Sequence, residues 1–257
     1  MTKRALLKTS AFVLRFIDYG ESDRIVTFYT NKSGKLKGIA KGARRSQRRF
    51  SNAIEPFCHS NILYSRRAKE GLALIENCDV INHFPGIREN LERTVVASCF
   101  IELIDQFTIE GRRVPGLFKL LEDFLGLIEK GNNIDETLRF FELHLLKVSG
   151  YEPVLERCVK CGTPLDKMES PCFCPSDGGI KCSECERGCF DSIPVSAGTL
   201  KILSMGKKMD TDRIHRLVLS NRALKESGDI LRLFIRHILG KELKSLQVFN
   251  QIKNMQP

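Results

Sequence analysis

The sequence predicts an α+β chain of more than one part: a small all-β module, a helical bundle after it, and a compact cysteine-rich element inserted into the bundle. Three observations carry this. Short runs of branched and aromatic residues, split by turn signals, fill the first eighty positions. From about residue 88 apolar side chains recur at helical spacing. Ten cysteines are present, four of them in two C-x2-C pairs. At 257 residues and 42% hydrophobic, the chain has material for two or three cores and does not read as disordered.

The strands come first. "SAFVLRFIDY", "RIVTFYT", "KLKGIAK", "SNILYS" and "GLALIENCDV" are separated by Gly20, by "NKSG" at 31–34 and by Gly71. Five short strands within about eighty residues suit a small barrel. The oligonucleotide-binding (OB) fold is one such solution and an SH3-like barrel is its competitor on pattern alone. "NHFPG" at 82–86 ends this pattern, so the expected domains are 1–82 and 83–257.

Three amphipathic helices are expected between 88 and 150. Their apolar faces are Val96/Phe100/Leu103/Phe107, Leu117/Leu120/Phe124/Ile128 and Leu138/Phe141/Leu145/Val148. A further helical stretch is clearest at Leu231, Phe234, Ile235 and Ile238, and its natural partner is the earlier bundle.

Between these helical regions, at about 155–192, lies the cysteine insert. Cys158, Cys161, Cys182 and Cys185 form C-x2-C-x20-C-x2-C. Two residues between sulfurs let one tight turn aim both at a single ion, and twenty residues let a ribbon return the chain. Four thiolates in a tetrahedron suit one structural Zn²⁺ with no open position for water. A redox dithiol and unrelated free thiols are the alternatives, and Cys172, Cys174 or Cys189 could exchange with a ligand. Cys58, Cys78 and Cys99 fall in strand or helix patterns as small core residues.

Charge is uneven. The net charge is +10, and the first eighty residues hold sixteen Lys/Arg against seven Asp/Glu. Lys32 to Phe50 holds eight basic residues and no acid. This implies a polyanionic partner, with solubility alone as the alternative. Lys35, Lys37 and Lys41 recur at period two, which puts them on one sheet face. Arg44, Arg45, Arg48 and Arg49 continue the charge into the next loop. Such a face is a groove for a nucleic-acid backbone, the alternative being a solvated lysine face. Neutralising about five phosphates gives a single-strand salt slope of about −3.5, or roughly a hundredfold loss of affinity between 50 and 200 mM salt. Phe12, Phe50 and Tyr64 are candidates for base stacking or for the core.

No catalytic constellation is visible, so a binder is expected rather than an enzyme. H-x-E with P-C-x-x-C, G-x-x-x-x-G-K-[ST] and G-x-G-x-x-G are all absent, which argues against a zinc deaminase and against nucleotide cofactors. His59, His83, His144, His215 and His237 stand singly, and Glu21, Asp23 and Arg24 read as a turn with local ion pairs. No run is apolar enough to span a membrane, and "MTKRALLKTSAF" lacks an apolar signal core. The chain reads as cytoplasmic.

"DYGESDRIV" followed by "GKLKGIAKGARR" resembles the start of the bacterial repair and recombination mediators of the RecO family. The resemblance continues through "LERTVVASCFIELID", "FFELHLLKVSGYEPVLERCVKCG", "GGIKCSEC" and "LGKELKSL". It implies an N-terminal OB fold, a helical domain and an inserted zinc element. It further implies binding of single- and double-stranded DNA, annealing of complementary strands coated by single-strand-binding protein (SSB), contact with the acidic SSB C-terminal tail, and RecA loading with RecR. It implies no nucleotide hydrolysis and a nucleoid-associated location. The alternative from another class is a zinc-ribbon factor that binds RNA or a polymerase. A metal-dependent nuclease lacks the carboxylate cluster it needs.

Overall fold

The computed structural model of the chain describes residues 5–255 except 47, 51 and 67–70, with side chains through 253. Contacts divide the chain into two units, one ending at Leu121 and one beginning at Glu122.

The first unit is built on five strands: β1 (Leu6–Tyr19), β2 (Asp23–Thr30), β3 (Gly34–Ala40), β4 (His59–Ser65) and β5 (Ala73–Asn82). They close into a barrel in the order β1-β2-β3-β5-β4. Closure depends on the length of β1, whose first half pairs with β4 and whose second half pairs with β2. A bulge between Val13 and Arg15 bends it between the two partners. The pairing of β3 with β5 is parallel, the others antiparallel. Burial alternates along β3: Leu36 and Ala40 point into the core, while Lys35, Lys37 and Ile39 lie on the outer face. Phe28, Leu36, Ile62 and Ile75 fill the interior. Gly34 turns β2 into β3 at φ 69°, and a Cβ there would sit 2.2 Å from the Arg112 carbonyl oxygen, so only glycine fits.

Two helices complete this unit, α1 (Pro85–Arg88) and α2 (Leu91–Phe107). Pro85 occupies the first turn of α1, where its missing N–H costs nothing. Asn90 caps α2 by accepting from the Arg93 N–H. Asp105 near the end of α2 takes Lys35 Nζ at 2.9 Å and Arg15 Nε at 3.1 Å. The Tyr29 hydroxyl and the Val114 backbone meet at 3.2 Å. The period switch at 82–86 is therefore real, yet the compact unit runs some forty residues beyond it.

The second unit contains α4 (Ile134–Val148), α5 (Ala197–Gly206), α6 (Asn221–Leu239) and α7 (Lys244–Met255), while α3 (Leu117–Glu129) carries the division itself. α6 packs on both α4 and α5. Asn133, Ser196 and Ser220 cap α4, α5 and α6 with side-chain oxygens. The cysteine insert contributes a three-stranded sheet of order β7-β6-β8, from β6 (Cys172–Cys174), β7 (Gly179–Lys181) and β8 (Ile193–Pro194). Phe173 of β6 meets Phe234 of α6 edge-on at 5.5 Å and seats the sheet on the helix.

One buried acid gives this unit a pH signature. Glu142 on α4 is fully buried, 2.9 Å from Arg139 Nη1. Burial outweighs the arginine and raises its carboxyl to about 7. A folded-state value above the ordinary 4.5 means that the native state binds more protons in between. The Glu142 contribution to stability is therefore full below about 4.5 and is lost as pH rises towards 7. Glu142→Gln should flatten that decline when melting temperature is followed against pH. An unchanged profile would place the titration elsewhere. Glu156 and Glu226 have the opposite sign. Burial raises each, but Ser204, Lys207 and Lys208 for the first, and Ser196, Thr199 and Arg222 for the second, hold them at about 2. Their contribution is lost only as pH falls from about 4.5 towards 2.

Candidate nucleic-acid interface and metal centre

The basic stretch is a tethered loop. It follows β3, and Phe50, Ala53 and Ile54 plug its far end into the barrel core. Its near end is clasped to the β1–β2 turn. The Gly42 N–H donates to Asp23 Oδ1 at 2.8 Å, and the Arg44 N–H donates to the Ser22 carbonyl at 3.0 Å. The "YGESDR" turn is thus a fastener, with Arg24 paired to Asp18 and Glu55 at 3.0 and 2.8 Å.

The seven nominated cations differ in availability. Lys35 is committed to Asp105, with a side chain only 12% exposed, and supports α2 rather than offering a charge outward. Lys37, 40% exposed, reaches Glu110 at 3.8 Å. Arg66 also pairs with Glu110, at 3.0 Å, and Arg67 lies outside the described residues. Lys41 and Arg48 are exposed. Arg44 and Arg45 make only long pairs, 3.9 Å to Asp18 and 3.7 Å to Glu21. Such exposed pairs are worth at most about 1 kcal/mol, so a phosphate can replace either carboxylate. Arg49 donates to the Lys41 carbonyl at 2.8 Å and lies over Phe50. Arg44, Arg45, Lys41 and Arg48 are therefore the most accessible part of the surface.

Phe12, Phe50 and Tyr64 are all buried, which leaves them the core role. His59 stacks on Phe12 at 4.4 Å, and His144 Nε2 lies 3.0 Å from the Gly206 carbonyl oxygen, so both are packing residues.

In the insert, two knuckles converge. The Gly162 N–H donates to the Cys158 carbonyl and the Cys158 N–H to the Thr163 carbonyl, which folds the first turn. The Cys185 and Glu186 N–H groups both donate to the Cys182 carbonyl, which folds the second. The Val159 N–H donates to Ile180 on β7, which delivers Cys182 beside the first knuckle. All four Sγ atoms lie within 4.8 Å of one another, and Cys161 and Cys182 are 3.7 Å apart. Zn–S bonds of about 2.3 Å in a tetrahedron require S···S separations of about 3.8 Å. The donor set and spacing thus fit a zinc-sized ion. Burial acts to raise the Cys158 thiol, but backbone N–H groups of Cys161, Cys182 and Lys160 outweigh it and hold it at about 6.

Cys174 and Cys189 form a disulfide that loops the second knuckle back to β6. They group with Asp177, but Lys181 Nζ sits 2.5 Å from that carboxylate, a poor setting for a further cation. Thiol titration in metal-free denaturant should therefore count eight thiols, rising to ten after reduction. A count of ten without reductant would remove the disulfide.

Comparison with known proteins bears on both sites. The family model described as "Recombination protein O N terminal" matches residues 1–84, and "Recombination protein O C terminal" matches 88–247. The DNA repair protein RecO of Syntrophus aciditrophicus is 46% identical over 257 residues, 99% of each chain. Similar too are the DNA repair proteins RecO of Geobacter metallireducens, 35% identical over 96% of this chain and 98% of that one, and of Dehalococcoides mccartyi, 32% identical over 96% of each. The chain belongs to the recombination protein O family. The RecO resemblance seen in the sequence motifs thus extends over the whole length. No helix among the described residues is long and apolar enough to cross a membrane.

Two features of this RecO-family chain were not anticipated from sequence. The disulfide joins a C-x-C cysteine to one just outside the second pair, and no spacing rule marks that pairing. The neutralising role of Asp105 and Glu110 was invisible because they lie some seventy residues beyond Lys35 and Lys37.

Proposed function

We propose that the chain is a DNA repair and recombination mediator with no reaction chemistry of its own. It binds single- and double-stranded DNA, anneals complementary strands coated by SSB, and with RecR promotes RecA loading at gaps and breaks. The DNA module is residues 1–82, read as an OB fold because five strands close into one small barrel, β1-β2-β3-β5-β4. The observation that carries this reading is the clasped basic loop: Lys41, Arg44, Arg45, Arg48 and Arg49 are held on a barrel rather than on a free tail. Lys37 extends that surface. Two phosphate backbones brought together repel, and a fixed cationic surface screens the repulsion while bases find partners.

The insert serves as a structural staple, with one Zn²⁺ held by Cys158, Cys161, Cys182 and Cys185. The acidic tail of SSB is assigned to the groove of α4, α6 and α7, whose lining combines Lys225 and Arg232 with Leu246 and Phe249, while Asp135 there already pairs with Lys253. The expected location is the cytoplasm, at the nucleoid.

The decisive experiment is annealing of SSB-coated complementary oligonucleotides, with and without RecR. Acceleration over the uncatalysed rate is the expected result. No acceleration, together with tight RNA or polymerase binding, would reject the mediator.

A further inference from the structure

The insert carries a second sulfur device that the metal reading does not use. The Cys174–Cys189 bond spans fifteen positions, and the loop it closes contains both thiols of the second knuckle, Cys182 and Cys185. The segment 182–192 hangs between two short strands that pair with β6. Lys181 of β7 lies opposite Cys172 on one side, and Ile193 of β8 lies opposite Phe173 on the other. Within the segment, the Cys189 N–H donates to the Glu186 carbonyl at 3.0 Å, and the Ser192 hydroxyl donates to the Glu186 carboxylate at 2.7 Å. The disulfide adds a covalent tie from this segment to β6, four residues beyond Cys185.

The two bonded sulfurs have different surroundings. Cys174 is fully buried, whereas Cys189 is partly exposed and stands among Arg187, Gly188 and Phe190, all exposed. A thiol arriving from solvent therefore meets Cys189 first. Behind the bond, Ser176 Oγ lies 3.3 Å and Asp177 Oδ2 3.0 Å from Cys174 Sγ, and the Lys181 ammonium pairs with that carboxylate. The hydroxyl can donate to a departing thiolate, and the carboxylate can accept from the thiol that follows. An accessible sulfur backed by a polar pocket suits reversible exchange, and exposed disulfides are the labile, regulatory ones.

We propose that the Cys174–Cys189 pair is a redox lock on the four-sulfur metal site: closed, it holds the second knuckle in place, and opened by a thiol reductant it lets the ion go. This rests on the zinc reading above and adds its regulation. In the opening step the incoming thiolate bonds to Cys189 Sγ, and the electron pair of the old bond leaves on Cys174 Sγ. A second thiol equivalent then displaces the reductant from Cys189. Two reductant thiols become one disulfide, and their two electrons and two protons pass to the pair. Release of the ion requires the knuckles to part, and the closed loop restricts that parting. Closing a loop of this length is worth up to roughly a hundredfold in an equilibrium. In the reducing cytoplasm proposed for this chain, a lasting disulfide is rare and a reversible one serves as a sensor.

The test uses the full chain purified with zinc and without reductant. Transfer of zinc to the chelating dye pyridylazoresorcinol is followed with and without a water-soluble phosphine, which opens disulfides and chelates zinc poorly. The phosphine should speed release from wild type roughly tenfold or more. Cys174→Ser with Cys189→Ser should release at the fast rate whether or not phosphine is present, and Cys172→Ser should behave as wild type in both states. A second readout needs no metal transfer. In glutathione buffers of rising disulfide fraction, alkylation and mass spectrometry should show Cys174 and Cys189 becoming protected together while Cys58, Cys78 and Cys99 stay reduced. Equal release rates with and without phosphine would overturn the lock. A pair that stays closed in fully reduced glutathione, or never closes, would also overturn it. Wild-type protein that carries no zinc would sink the metal reading itself, whatever the pair does.

Discussion

Replacing Cys158 or Cys182 by serine should abolish metal binding at the four-sulfur group and loosen the insert around it. The expected loss is large because a structural zinc held there would contribute on the order of 10 kcal/mol to local folding. Beyond it the segment 155–192 has little core of its own, chiefly Leu155, Leu165, Phe173 and Ile180. Serine cannot offer a thiolate, and three sulfurs leave a position open to water. Metal analysis of purified protein should fall from one zinc per chain to well below one, and proteases should cut the insert while the barrel persists. Cys172→Ser is the control. That thiol lies 3.7 Å from the Lys181 carbonyl oxygen, outside the four-sulfur group, and its replacement should leave the metal in place. Stoichiometric zinc retained in either ligand variant would mean that the ligand set is different.

The second large effect is expected at the loop. Arg44→Glu with Arg45→Glu should weaken DNA binding roughly tenfold or more at low salt and reduce the single-strand slope from about −3.5 to about −2. Both side chains are solvent-exposed and make only long ion pairs, so the fold should melt as wild type does. Lys35→Ala provides the contrast. It removes one of the two cations on Asp105, leaving Arg15, and should destabilise the first unit, with a smaller change in salt slope. Unchanged binding in the double arginine variant would place the interface elsewhere.

The contrast between Lys35 and Arg44 also marks how far the sequence could be read. Period-two alternation in "KLKGIAK" correctly put Lys35 and Lys37 on the outer face, because strand geometry is local. Which of those cations stays available depends on Asp105 and Glu110, whose placement is a tertiary fact. The helices α2, α3, α4 and α6 were legible from their apolar spacing, whereas α5 and α7 were not. α5 contains Gly198 and Gly206, and Gly206 exists for contact, since a Cβ there would meet Phe140 at 2.2 Å. The four-cysteine group was legible because ligand geometry is written in spacing. The Cys174–Cys189 bond was not, because pairing among extra cysteines needs coordinates. Aromatic type alone left Phe12, Phe50 and Tyr64 open between stacking and the core, and burial decides for the core in all three.

The tie between β3 and the end of α2 has a practical consequence for dissecting the chain. Cutting at residue 84, where the N-terminal family match ends, would strip Asp105 from Lys35, Glu110 from Arg66 and Val114 from Tyr29. Such a fragment would expose orphaned ammonium, guanidinium and phenol groups and would aggregate or bind polyanions indiscriminately. A piece carried through the end of α3 retains all three attachments, so the compact unit is longer than the N-terminal family match.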